Sequence, residues 1–528
     1  MEDTITSLAP KGSAEHLVCN DAEIHNCVIK KRVNPQRRRE KVYVGCGAGF
    51  GVAEWMLLLL PLAVERGVCI ITNMGATNPF GAQEKVLEVA RKLGFSITVG
   101  VAHQYAIDTA GLERHLRNVD GGSSVYLGAA PIVGCLEKYK PDVIITFRVA
   151  DASLFLAPMI YELGWNWDEL QLLAQGSLAG PPPRILMKKS MLCLRDKYRE
   201  ISLPDLLDLS LPFAEVSSDG KVCVAKADGS GGLLNFSTCA EQLLYEVGDP
   251  GAYVTPDVVI DIHDVSFLSL SNSEVLCAGA KPSATSVPEK LSLLAPKDLG
   301  WRGWGEISYG GYACVERAKA AEFLVRSWME EIYPGLNNCV ISYMMGLDSV
   351  KATSIDNSSR LPRAIEDIRL RMDGMFEQEE HAVQFTKEFT ALYTNGPAGG
   401  GGISTGYKKE IILEKGLVGR EHVHWRISAN KNEIVNRNDQ RECIKDGMQA
   451  YARLESQLSS VMVKRAYTSR REVLSPEVSI SPAPSGQKIS LYNVAHSRTG
   501  DKGNDLNFSL IPHFPTDISR LKLIITPQ

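Results

Sequence analysis

The sequence predicts an α/β fold: a large domain on a mostly parallel sheet with flanking helices, then a short C-terminal piece of strand character. Three observations carry this reading. From residue 41 onward, short apolar runs of strand length alternate with amphipathic stretches of helix length. Gly67 and Gly94 close two of the helical stretches, where a helix is expected to stop. Polar groups collect directly after the apolar runs, at the strand ends where open α/β sheets place ligands.

The elements follow in order. An apolar strand over 42–44 leads through a glycine loop into a helix over 54–66. A strand over 68–72 runs into the turn 73–79 and a helix over 82–93, and a third strand covers 97–101. The run 143–147 is a further buried strand, ending in Arg148, Asp151 and Ser153. Strands joined through helices imply parallel neighbours and right-handed crossovers. At Pro181, Pro182 and Pro183 the pattern breaks, and 184–199 is basic and Met-rich without periodicity. Strands are expected over 221–226, 258–262, 274–279, 306–308 and 338–346, with helices over 238–247 and 314–332. Four successive glycines, Gly399, Gly400, Gly401 and Gly402, mark a turn or ligand loop. The last 42 residues show two or three strand patterns, no helix, and too little length to bury a core alone. The organisation expected is a basic tail over 1–40, a large domain over 41–430, a polar linker over 431–486 and a small domain over 487–528.

Composition narrows the function. Lys and Arg number 57 against 62 Asp and Glu, a net charge of −5 with 44% hydrophobic residues, and the sequence pI is near 6.1. A dedicated nucleic-acid binder carries a basic face and a higher pI, so that class is set aside. The longest apolar run, 55–64, is far short of the roughly 20 residues a membrane helix needs, and no secretory signal precedes it; no membrane partner is expected. Twelve scattered cysteines without a C-x-x-C pair fit reduced thiols in the cytoplasm.

Several motifs could carry chemistry. GCGAGFG over 45–51, with Gly47 and Gly49, stands between a strand and a helix as a phosphate loop would, but its spacing is not G-x-G-x-x-G. It is either an anion-holding turn or a structural one. Asn73 and Asn78 could orient a carboxylate, phosphate or thioester carbonyl, or form a turn in which Asn78 caps a helix starting at Pro79. Arg148 with Asp151 is either an anion clamp with a general base or an ion pair. His422 and His424 are close, yet no further cluster completes a metal set, and none is assigned. His496, Asp501 and Lys502 crowd a turn-rich segment near the end. Nucleophile-elbow, P-loop and H-E-x-x-H motifs do not occur.

Eight segments in order, VYVGCGAGFG, CIITNMGATNPFGA, RVADASLFLAPMIYELGW, EQLLYEVGDPGAYVTPDVV, GWGEISYGGY, TNGPAGGGG, LVGREHV and AHSRTGDKGND, resemble the acyclic terpene utilisation protein A family in its plant-like branch. The resemblance implies a large α/β domain followed by a small, here truncated, α+β domain of ferredoxin-like fold. That domain carries no cysteine in this chain, and so no iron–sulfur cluster. It also implies a role in catabolism of citronellol- or geraniol-like terpenes, whose pathways handle acyl-CoA thioesters. The chain departs from the family after Gly51, where an Asp-Arg pair and a βα unit are missing, after Gly180, where 181–194 replaces a His-Leu-Leu-Glu-Cys-Gly segment, and at its end.

The reading adopted is a protein that binds or transforms a small branched-chain or isoprenoid acyl substrate, with no reaction or cofactor assigned. Asp151, Glu306, His496, Asp501 and Lys502 are the candidate catalytic groups. Asn73, Asn78, Arg148, Gly47, Gly49, Gly399, Gly400, Gly401 and Gly402 are the candidate substrate contacts. A homo-oligomer or a complex subunit is expected. The alternatives are a non-catalytic accessory or assembly subunit of an acyl-CoA carboxylase or hydratase system, and an impaired splice or gene-model variant.

Overall fold

The computed structural model describes residues 14–20, 23–30, 52–75, 78–108, 123–179, 213–226, 234–347, 367–432, 491, 494–502, 505–512 and 517–525. The strand expected over 42–44, the loop with Gly47 and Gly49, the stretch 184–199 and most of the linker lie outside these residues. The chain divides into two compact units, one formed by 1–113, 124–293 and 417–528, the other by 114–123 and 294–416.

The elements run β1 (Ala14–Asn20), β2 (Glu23–Lys30), α1 (Val52–Arg66), β3 (Ile70–Thr72), α2 (Pro79–Lys92), β4 (Thr98–Ile107), β5 (Ser124–Val125), α3 (Ala130–Tyr139), β6 (Val143–Thr146), α4 (Asp151–Leu163) and α5 (Leu170–Ser177). They continue with β7 (Phe213–Ser217), β8 (Val222–Ala225), α6 (Phe236–Glu246), β9 (Tyr253–Val254), β10 (Val259–Asp261), β11 (Ser266–Ser269), β12 (Glu274–Ala278) and β13 (Lys281–Pro282). After these come β14 (Lys290–Gly310), α7 (Cys314–Ile332), β15 (Val340–Met345), β16 (Asp367–Phe376), α8 (Glu379–Asn395), β17 (Gly400–Gly419), β18 (Val423–Lys431), β19 (Ala495–Lys502), β20 (Asp505–Pro512) and α9 (Ile518–Ile524).

The first unit is built on a ten-stranded sheet in the order β11–β12–β8–β7–β2–β1–β3–β6–β4–β18. The pairs β1–β3, β3–β6, β4–β6 and β2–β7 are parallel. The pairs β1–β2, β7–β8, β8–β12, β11–β12 and β4–β18 are antiparallel. The expectation of a mostly parallel large sheet is therefore corrected: four neighbouring pairs are parallel and five antiparallel, with the antiparallel pair β1–β2 lying between parallel neighbours and further antiparallel pairs towards both edges. The reason lies in connection length, because a parallel neighbour needs a crossover of a dozen or more residues, whereas β7 and β8 are joined by a tight turn at Gly220. Two strands, β1 and β2, also form within the stretch read as a basic tail and sit in the middle of the sheet.

At the centre, Ile70, Val99, Val143 and Ile145 pack with Met56 and Leu60 of α1 and Val86 and Ala90 of α2 in one buried cluster. Burying each of the valine, leucine, isoleucine and methionine side chains contributes roughly 1.5–3 kcal/mol. On β4, Gly100 lies against Cys135 of α3, so helices cover the parallel core on both faces.

In the second unit the strands run in the order β15–β16–β14–β17. The pairs β14–β16 and β15–β16 are antiparallel. Alternation puts Ile307, Tyr309, Ile368, Leu370 and Met372 on the face that buries against α7 and α8. Gly303 and Gly305 occupy the same face because the rings of Phe385 and Phe389 take up the space of their side chains.

At the C-terminus β19 and β20 form an antiparallel hairpin, and α9 follows where the sequence suggested no helix. Leu521, Leu523 and Ile525 alternate as in a strand, but Ile518, Leu521 and Ile525 also fit helical spacing. The burial of Leu521 goes with the helix.

Candidate functional site

The carboxyl ends of β3 and β6 lie side by side, with Thr72 opposite Ile145. Gly75 rests on the carbonyl of Thr146, where a side chain would collide. The turns that follow the two strands therefore share one edge of the sheet. Asn73 is buried at this edge. Asn78 caps α2: its Oδ1 accepts the N–H of Gly81 at 2.9 Å, with Pro79 as first helical residue. Asp151 opens α4, where a carboxylate suits the positive end of the helix. Arg148 reaches over the ring of Tyr126 at 5.9 Å, and its Nε is buried without a hydrogen-bond partner among the described residues.

A second arrangement grows from the same edge and was not singled out in the sequence. Leu127 pairs with Val149, its N–H donating to the Arg148 carbonyl at 3.2 Å while Ala150 donates back at 3.0 Å. This bridge sets the start of α3 beside the start of α4. Asp257 joins the two: its Oδ1 accepts the N–H of Ala129 at 2.8 Å and its Oδ2 the hydroxyl of Ser153 at 2.5 Å. Gly128 is needed here because any side chain would strike the Asp257 carboxylate. Asp257 is itself held by a tight loop in which Thr255 Oγ1 donates to the Val258 carbonyl at 2.7 Å.

Asp257 and Arg420 line a cavity of about 370 Å³. Leu127, Pro131, Trp167, Val287, Leu291 and Trp425 supply apolar wall. The backbone N–H of Arg420 donates to the Glu289 carbonyl at 3.2 Å and its Nε to the Pro288 carbonyl at 2.7 Å. Its Nη2 is buried with no hydrogen-bond partner among the described residues. Burial raises the pKa of the Asp257 carboxyl, opposed by Ser153, Ala129 and the charge of Arg420. Burial lowers that of Arg420, opposed by Asp257.

In the second unit, Glu306 lies in a ladder of charges on the sheet face opposite the helices. Arg302 Nη2 donates to Asp373 Oδ1 at 2.6 Å, Arg371 Nε to Asp373 Oδ2 at 2.6 Å, Arg371 Nη1 to Glu306 Oε1 at 2.5 Å and Arg369 Nε to Glu306 Oε2 at 2.7 Å. Burial pushes the Glu306 carboxyl up, but Arg369 and Arg371 together hold it below its ordinary value. This geometry suits a fixed carboxylate that orients two guanidinium groups. Gly399 and Gly402 adopt positive φ of 77° and 62°, which favour glycine. A side chain at Gly400 would meet Ile307 and Tyr309, whereas Gly401 faces open space. The carbonyls of Ala398 and Gly402 accept from Arg317 at 2.8 Å and Arg369 at 3.3 Å.

In β19, His496 and Lys502 are six residues apart, roughly 20 Å along an extended strand. Lys502 pairs with Asp505 at the turn and His496 with Ile511 near the open end. Among the described residues no group of three His, Cys, Asp or Glu side chains could hold a metal ion.

Across residues 49–429 the chain matches the family model described as acyclic terpene utilisation family protein AtuA, and across 489–528 that of the AtuA ferredoxin-like domain. The chain belongs to the AtuA family. No individual curated protein and no solved structure matches it. The AtuA match runs through both the edge with Asn73, Arg148 and Asp151 and the cavity with Asp257 and Arg420, while β19 and its His496, Asp501 and Lys502 fall in the ferredoxin-like match. The signal for the missed pair was present: Asp257 stands in VTPDVV and Arg420 in LVGREHV, two of the segments that carry the resemblance.

Proposed function

We propose that this AtuA protein holds a small branched-chain or isoprenoid acyl compound in terpene catabolism, seated in the cavity of the first unit. Family membership supports the terpene setting. The single observation that carries the acyl part is the buried, unpartnered Nη2 of Arg420 in a cavity with otherwise apolar walls. Small-molecule sites combine such walls with a few placed polar groups, and 370 Å³ lies within their size range. The hydrocarbon packs on Leu127, Leu291 and the indole of Trp425, and the acyl oxygen accepts from Arg420.

The test is thermal melting of the full chain with isovaleryl-CoA, a ten-carbon isoprenoid acyl-CoA and the two free acids, each well above micromolar concentration. A ligand at a hundred times its Kd stabilises by about 2.7 kcal/mol, so at least one member of the panel raises Tm by about 2–3 °C. An unchanged Tm with all four contradicts the proposal.

A further inference from the structure

The cavity contains one acid and one cation, and their hydrogen bonds indicate in what form the ligand enters; the inference rests on the acyl-binding reading and narrows its substrate class. Both Asp257 oxygens are already engaged, Oδ1 by Ala129 and Oδ2 by Ser153. Arg420 spends Nε on the Pro288 carbonyl, makes no ion pair among the described residues, and keeps Nη2 buried without an acceptor. We propose that the cavity takes its ligand as a free carboxylate on Arg420 Nη2, with one proton taken up by Asp257, rather than as a neutral thioester.

Charge accounting leads to this assignment. In the free protein the charge of Arg420 favours the ionised form of Asp257. An arriving carboxylate makes two anions against one cation between apolar walls, and neighbouring carboxylates in such surroundings do not both stay ionised. Burial already favours the neutral form of Asp257. The proton goes to Oδ2. Oδ1 faces an amide N–H that can only donate, whereas the Ser153 hydroxyl can turn from donor to acceptor. Other titratable groups stand on the elements around the cavity: Asp151 at the head of α4, Asp168 after Trp167, Glu289 and Glu421 beside Arg420, and His422, which lies 3.4 Å from both Asp108 and Glu421. Arg420 is the charge that acts on Asp257. A thioester or ester linkage is neutral, so it brings no charge to Arg420 and Asp257 and requires no proton on Asp257.

The experiment is calorimetric titration of the full chain between pH 6 and 8.5, in two buffers of different ionisation enthalpy. The ligands are the ten-carbon isoprenoid acid, its methyl ester and its CoA thioester. The acid itself stays ionised across this range, since ordinary carboxyls titrate near about 4.3. The expected result is acid binding with close to one proton taken up, and an affinity that falls by up to about tenfold per pH unit. The methyl ester binds more weakly, without proton uptake and without pH dependence. Arg420→Gln weakens acid binding at least about tenfold and weakens the ester, which loses a hydrogen bond but no charge pairing, by less. Asp257→Asn keeps acid binding and loses the proton uptake. Acid binding without proton uptake in the unmodified chain, or a thioester or ester that binds as tightly as the acid, overturns the inference and leaves the acyl-binding reading standing. No binding by any of the three overturns both.

Discussion

The hydroxyl of Ser153, in the first turn of α4, donates to Asp257 at 2.5 Å across 104 positions of sequence. Because the other oxygen of Asp257 receives the N–H of Ala129, one carboxylate ties the starts of α3 and α4 to the loop before β10. Removing the hydroxyl leaves that oxygen unsatisfied. Ser153→Ala is expected to cost about 1–3 kcal/mol, read as a lower urea midpoint at pH 7.

The pH dependence attached to Asp257 has a definite sign. Burial raises its folded-state pKa above the unfolded value, so the folded state binds the extra proton. Its contribution to stability is fully present below the unfolded pKa, about 3.9, and is lost as pH rises through the folded one. Urea midpoints of the wild type minus those of Asp257→Asn, taken from pH 4 to 8, are expected to fall with pH and then level off.

Glu306 and Asp373 carry the opposite sign. Burial pushes each carboxyl up, but their arginine partners outweigh it and hold both below the ordinary value. Their stabilisation is present above the unfolded pKa and is lost as pH falls through the folded one. Glu306→Gln leaves Arg369 and Arg371 without their shared carboxylate and is expected to cost about 1–3 kcal/mol at pH 7, less than a fully buried pair because the ladder is partly exposed. The difference from wild type shrinks towards pH 3, which denaturation at the two pH values checks.

Two glycines separate packing from open space. Gly75→Ala drives a methyl group into the Thr146 carbonyl and is expected to cost about 1–3 kcal/mol. Gly401→Ala meets nothing within 4 Å and is expected to stay within about 0.5 kcal/mol of wild type. Thermal melting of the two variants side by side checks both.

The helices were the most legible part of the sequence. The span read for α7 is the one observed, and Gly67 and Gly94 adopt the positive φ expected of helix stops. Their periodicity is local and long enough to stand alone. The sheet was less legible because partner choice is non-local. β14 extends over Lys290–Gly310 although only 306–308 was read as strand, since Gly303 and Gly305 fill core-facing positions where an apolar residue would signal a strand. The alternative reading of Asn78 as a helix cap is met by its bond to Gly81. Asp257 and Arg420 each stand in a segment that carries the resemblance, but their pairing was illegible because it is made by the chain returning to the start of α3.

The account stands most directly on occupancy of the cavity. Val287 lines it and is 39% exposed, so a larger side chain there fills the space without rebuilding the core. Equilibrium dialysis of the radiolabelled ten-carbon isoprenoid acid against the wild type and Val287→Trp measures it. The prediction is one molecule bound per wild-type chain and none per variant chain, with Tm of the free proteins unchanged. Equal binding to both, or none to the wild type, would contradict the account.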